Sequence, residues 1–184
     1  MNIFFTSIDP KIAATHLNDQ RLVKMCLETA QLLCTAVNEN AGEHVAPYKS
    51  THKHHPSAVW TSKNLGNFQW LFSYFVAICE EYHARYGKIH KSYDKIINSD
   101  LYELAELFIP YGDFTVPPNC AANNSFNLSF KHIDNVVTAY RVYLCARICL
   151  TDKNPRISKR DIDVDAYKSM FNVTDDDILA GILN

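Results

Sequence analysis

Between His16 and Val37 the apolar residues Leu22, Met25, Cys26, Leu32 and Leu33, with Thr29 among them, recur at three- and four-residue intervals. That is the period of a helix burying one side; a half-buried strand would alternate. The same stretch carries a polar stripe. Arg21, Lys24 and Glu28 stand at i, i+3 and i+7, followed by Gln31 and Thr35, so two cations and a carboxylate share one side. Such a stripe is either a solvated face laced with ion pairs or a phosphate-binding pair beside a general acid/base.

The remaining periodicity predicts a helical chain. Asn2 to Ser7 is a short apolar segment, a small strand or an extended arm packed into the core, and Asp9-Pro10 supplies an N-cap and a first-turn proline for a short helix through Ile12, Ala13 and Ala14. Asn38 to Ser50 reads as a loop, and Pro56 starts a short helix through Trp60. A long helix is expected from Phe68 to Tyr86, with Trp70, Leu71, Tyr74, Phe75, Ile78 and Tyr82 on its apolar side and Gly87 as its stop. Ser99 to Phe108 forms another, capped by Ser99 or Asp100 and closed before Pro110, and residues 111–130 form an ordered loop. Lys131 to Leu150 is helical with Arg141 and Arg147 outward, and either Ala166 to Met170 or the capped segment Thr174 to Leu183 can form a short terminal helix. Four or five principal helices and no convincing sheet make this an all-α fold, one compact helical domain over residues 1–184 with an inserted N-terminal arm.

Composition narrows the picture. The 184 residues suffice for one compact core, and 47% are apolar. No apolar run approaches the roughly 20 residues of a membrane span, and the N-terminus lacks the basic leader and cleavage site of a secretory signal. Six cysteines without a CxxC pair read as reduced core thiols of a cytosolic protein. A net charge of −2 excludes coating nucleic acid through the overall field, and leaves room for a local basic groove. His52, His54 and His55 have no recognised ligand spacing and no matching carboxylate or cysteine nearby, so neither metal nor cofactor is expected. Glu81 and Arg85, at i and i+4, form either a surface pair or the floor of a polar site, and Lys88, His90 and Lys91 add charge at the helix exit.

Read in order, NIFF, LNDQRLVKMCLETAQLL, YKSTHKHHPSAVW, NFQWL and EYHARYGKIHKS resemble the pyrimidine-dimer DNA glycosylases of the phage endonuclease V type. Within LNDQRLVKMCLE, the pattern Leu17, Asp19, Gln20, Leu22, Glu28 is similar to the family segment that carries the catalytic glutamate, and Arg21 falls where the family has a polar residue facing the active site. The resemblance spans residues 1–97 and implies an endonuclease V-like helical core, with 98–184 as additional helices and loops. It also implies a DNA glycosylase/AP-lyase acting on damaged or modified pyrimidines in the cytoplasm of a phage-infected or bacterial cell. In that chemistry an N-terminal amine attacks C1′ to form an imine while the glutamate assists. An α-amine with a pKa of about 7.7–8.0 is a competent nucleophile near neutrality.

Position 2 is Asn2 where the family has a small residue exposed by removal of Met, so the nucleophile expected here is Met1 or a processed Asn2, with Glu28 as the catalytic carboxylate. Arg21, Lys24, Lys49, His55, Arg85, Lys88, His90 and Arg141 are the candidates for binding phosphate or nucleic acid, and Tyr48, Trp60 and Tyr82 for stacking on a base. Two alternatives stay open: a nucleotide- or DNA-base-modifying enzyme using the same cleft, and a non-catalytic nucleic-acid or partner-binding helical module. The expected partner is DNA or a pyrimidine nucleotide.

Overall fold

The computed structural model describes residues 2–182. Helix α1 (Pro10–Thr15) begins where Asp9 accepts hydrogen bonds from the Lys11 and Ile12 amides. The chain then breaks at His16 to Asn18, and α2 (Asp19–Ala41) starts afresh with the Asn18 side chain capping the Arg21 amide. Helix α2 outruns its expected end at Val37 because Asn38 and Asn40 serve the loops beside it. The Asn38 amide group donates to Tyr48 O and accepts from Ala46 N, and Asn40 donates to Ser62 O.

Helix α3 (Pro56–Lys63) opens on Pro56, and α4 (Leu65–Tyr86) ends on Gly87, whose φ of 66° is the left-handed conformation that closes a helix. Helix α4 starts three residues before Phe68, since Asn64 is its cap and the 110–115 loop satisfies its first amides. Leu65 N donates to Pro110 O, Gly66 N to Gly112 O, and the Asn67 side chain accepts from Thr115 N. The backbone runs so close there that a Cβ on Gly66 would collide with Asp113 and Phe114.

Helix α5 (Lys91–Ile97), where the sequence suggested only a basic helix exit, is followed by α6 (Leu101–Phe108), with Asp100 at its N-terminal boundary but no capping hydrogen bond from the Asp100 side chain. The expected loop over 111–130 contains two short antiparallel strands, β1 (Ala122–Asn123) and β2 (Leu128–Ser129). Helix α7 (Val136–Leu150) starts at the Asn135 cap, five residues later than the expected Lys131, because the cap fixes the first turn. A hairpin of β3 (Arg156–Ile157) and β4 (Arg160–Asp161) precedes α8 (Val164–Phe171) and α9 (Asp175–Leu179), the latter opened by a Thr174–Asp177 capping box. Leu183, the expected end of that last segment, lies outside the described residues. The fold is all-α, with only small two-stranded sheets among the described residues. No helix among the described residues is long and apolar enough to cross a membrane.

Helix α2 packs against α3, α4, α5 and α6, while α7 gathers α8 and α9. Residues 2–7 form an arm without ladder partners among the described residues, turned on itself where Phe5 N donates to Ile3 O and Thr6 N to Phe4 O, each at 2.9 Å. Phe4 turns to Tyr140 and Tyr143 on α7, and Phe5 turns to Trp70 on α4 and to Phe114. Ile3 and Phe5 are fully buried, each stabilising the arm by about 1.5–3 kcal/mol. Polar ties hold the arm as well: Arg141 Nε donates to Thr6 O at 2.9 Å, His16 Nδ1 lies 2.9 Å from Thr6 Oγ1, and Trp70 Nε1 donates to Ile8 O at 2.8 Å.

Arg85 is neither a surface pair with Glu81 nor the floor of a site. Its side chain is 2% exposed, with Nε donating to Glu81 at 2.7 Å and Nη1 and Nη2 donating to the Leu17 and Thr15 carbonyls and to Asp19. It clamps α4 to the joint between α1 and α2. The thiols divide. Cys26, Cys34, Cys79 and Cys145 are buried, and burial pushes Cys34 and Cys145 up to about 12, but Cys120 is half-buried and Cys149 exposed, so these two are not core residues.

Two outcomes follow from this packing. Gly66→Ala should lower the unfolding free energy by roughly 2–4 kcal/mol in a denaturant titration, because the colliding atoms are backbone. Burial, aided by the nearby Arg141 charge, lowers His16 to about 4, against an ordinary 6.5 in the unfolded chain. Between those values the unfolded state binds more protons, so the stability from the neutral ring is complete above about pH 6.5 and is lost as pH falls towards 4. Melting temperatures measured over that window should fall less steeply for His16→Gln than for the parent.

Candidate active site

The inward residues of α2, among them Leu22, Met25, Cys26 and Thr29, are all but inaccessible and fix the rotation of the helix. That rotation carries Gln20, Lys24 and Glu28 to the opposite side, where they meet a polar hollow of about 280 Å³. Asn2 and Phe4 of the arm form a second wall, and Ala122 and Asn123 of β1 with Tyr143 and Arg147 of α7 form the third. The Arg21, Lys24 and Glu28 part of the polar stripe therefore borders a partly open hollow, and Asn2 and Phe4 of the arm border the same space.

Asn2 is pinned there. Its Oδ1 accepts from the Tyr140 hydroxyl and from Ile3 N at 2.9 Å, and its Nδ2 donates to Cys120 O at 3.2 Å. Tyr140 itself sits in a dry setting that pushes its phenol well above the ordinary tyrosine range, so it acts as a neutral donor. Met1 lies outside the described residues.

The positive side of the hollow is unequally available. Arg21 grips both carboxylate oxygens of Asp152, with Nη2 to Oδ1 at 3.2 Å, and the two side chains are only 9% and 3% exposed. Asn18 Nδ2 donates to the same carboxylate at 3.1 Å, and Arg147 approaches it at 3.6 Å. Arg147 is further held by Thr151 Oγ1 at 2.7 Å and by the Tyr143 hydroxyl at 3.0 Å, with its guanidinium 4.8 Å from the Phe126 ring centroid. Arg21 is thus half of a buried pair, while Lys24 is exposed and lines the hollow.

Of the residues singled out by sequence, Asn2, Arg21, Lys24 and Glu28 converge on this hollow. The others stand elsewhere for identifiable reasons. His55 and His90 are N-caps, accepting from Ser57 N and Ser92 N, and burial lowers both below the ordinary histidine range. Arg85 and Arg141 hold backbone carbonyls. Trp60 is buried, its indole donating to Thr115 O at 3.1 Å. Tyr48 lies under Lys95 and meets Ser92 Oγ at 3.2 Å, and Tyr82 packs on Tyr86 and His90. Lys49 and Lys88 are exposed and do not line this hollow. Among the described residues no group of three or more His, Cys, Asp or Glu is placed to hold a metal ion.

Sequence reasoning missed Tyr143, Arg147 and Asp152. The first two have a local signal, an i, i+4 spacing on α7, but Arg147 was expected to face outward. Asp152 has none, because its tightest partner, Arg21, lies 131 positions away and Arg147, five positions before it, matches no helical pairing interval.

What the hollow offers is a carboxylate beside a cation, with the pinned Asn2 on another wall. The model of one family, described as pyrimidine dimer DNA glycosylase, matches residues 1–95, a span that contains the arm, Gln20, Arg21, Lys24 and Glu28. No curated protein and no solved structure matches the chain. With just over half its length matched, and with the carboxylate-bearing helix inside the matched span, the chain belongs to the pyrimidine dimer DNA glycosylase family.

Proposed function

We propose that this protein is a DNA glycosylase with lyase activity on damaged or modified pyrimidines, with Glu28 at the reacting centre. The observation that carries the reading is the convergence of Glu28, Lys24 and the pinned Asn2 on one hollow within the span matched by the family. The nucleophile is the amine at the head of the arm, that of Met1 or, once Met1 is removed, of Asn2.

The chemistry then runs as follows. The amine lone pair attacks C1′, the glycosidic C–N bond breaks, and the departing base takes the amine proton. Opening of the C1′–O4′ bond gives a protonated imine, with Glu28 as the acid that delivers a proton to O4′. The Glu28 carboxylate next removes a C2′ proton, the C3′–O bond breaks, and the 3′ phosphate leaves with the electron pair. Water finally hydrolyses the imine and frees the amine. Lys24 and Arg147 supply positive charge where phosphate must lie.

Borohydride added to the protein with duplexes carrying a thymine dimer or an abasic site should trap a covalent adduct, and extending the N-terminus by one residue should abolish it. Glu28→Gln should slow strand cleavage by about 10² to 10⁴ with the fold intact. Failure to trap with either duplex, or a Glu28→Gln variant that keeps activity within about tenfold, overturns the reading. Affinity for a free pyrimidine nucleotide without affinity for duplex DNA would replace it with a nucleotide-modifying enzyme.

A further inference from the structure

Next to the glutamate hollow lies a larger recess of about 530 Å³ that shares Gln20 and Arg147 with it. Its outer wall is built from Lys153, Arg156 and Lys159, which belong to the segment entering and turning the β3–β4 hairpin, beyond the residues matched by the family. The geometry points to this recess as the binding site for the sugar–phosphate backbone flanking the nucleotide that enters the glutamate hollow. This inference deepens the glycosylase reading and rests on it.

Charge is the first argument. Two carboxylates, Asp19 and Asp152, line the recess, and both are already engaged. Asp152 is held by Arg21 and Arg147. Asp19 is held by Arg85 at 3.0 Å and accepts from Ser158 N at 2.9 Å and Lys159 N at 2.8 Å. The three outer cations are left in excess. Lys153 makes no ion pair among the described residues, Arg156 meets only the solvent-exposed Asp161, and Lys159 rests 5.6 Å from the Tyr86 ring centroid. Exposed pairs of that kind are weak and readily exchanged for a phosphate.

Rigidity is the second. Ser158 and Lys159 adopt successive left-handed backbone conformations, φ 52° and 65°, which non-glycine residues rarely hold unaided. The Asp19 carboxylate, itself anchored by Arg85, accepts from both amides and fixes the turn on the first residue of α2. The basic wall is therefore set against the helix that carries Glu28.

Continuity is the third. A free anion would need no path between the two spaces, whereas a polynucleotide does, and Arg147 stands in both, steadied by four neighbours. The local cations also resolve how a chain of net charge −2 engages a polyanion.

The test is fluorescence anisotropy with a labelled undamaged duplex, titrated over a range of salt. Lys153→Ala/Arg156→Ala/Lys159→Ala should weaken binding more than about tenfold and reduce the salt slope by about 2 to 3, as expected for the loss of that many phosphate contacts. Lys153→Glu alone, on an exposed side chain, should weaken it at least about threefold and serves if the triple variant melts early. Parent affinity and slope in both variants overturn the inference, whatever the trapping experiment shows. If the unaltered protein binds but traps nothing, the glycosylase reading fails and the basic recess remains a site for DNA. A parent protein that does not bind the duplex at low salt overturns both.

Discussion

The arrangement depends on the carboxylate of Asp152 held between Arg21 and Arg147. A carboxylate only 3% exposed is tolerable in a protein interior only if its charge is answered and its lone pairs are filled. Here two guanidinium groups and the Asn18 amide do so, and they come from the start of α2 and the end of α7. The contact thus fixes the distance between the helix bearing Glu28 and the helix forming the opposite wall. It also decides which cations face the hollow, since the grip of Asp152 withdraws Arg21 and leaves Lys24 as the exposed charge.

Such a pair joins two parts of the chain with different standing. Residues 1–95 carry the family match, the arm and the polar stripe. The later residues contribute Tyr140, which pins Asn2, together with Tyr143 and Arg147 of the wall and the hairpin beside it. The hollow is therefore bordered by both parts of the chain: most of its lining comes from the matched span, and Ala122, Asn123, Tyr143 and Arg147 close it from beyond that span.

What was legible in the sequence was local. The buried side of α2, the stripe opposite it, the prolines opening α1 and α3, and Gly87 ending α4 each depend on neighbours a few positions away, and each was readable. What was not legible depended on distant partners. The histidines are the exception: the Ser57 and Ser92 amides that His55 and His90 accept from are only two positions away, but a capping histidine and a phosphate-binding one look alike in sequence. Arg85 and Arg141 read as surface cations until the carbonyls of Thr15, Leu17 and Thr6 are brought to them by folding. The β3–β4 hairpin has two-residue strands and mostly exposed side chains, so it leaves no hydrophobic alternation to detect.

The arm has a property that its hydrogen bonds alone do not convey. Phe4 and Phe5 face different helices, so shifting the arm by one position would exchange their surroundings and turn Asn2 away from Tyr140. The described arm therefore has a single seating in which both aromatic rings and the Asn2 amide are satisfied together.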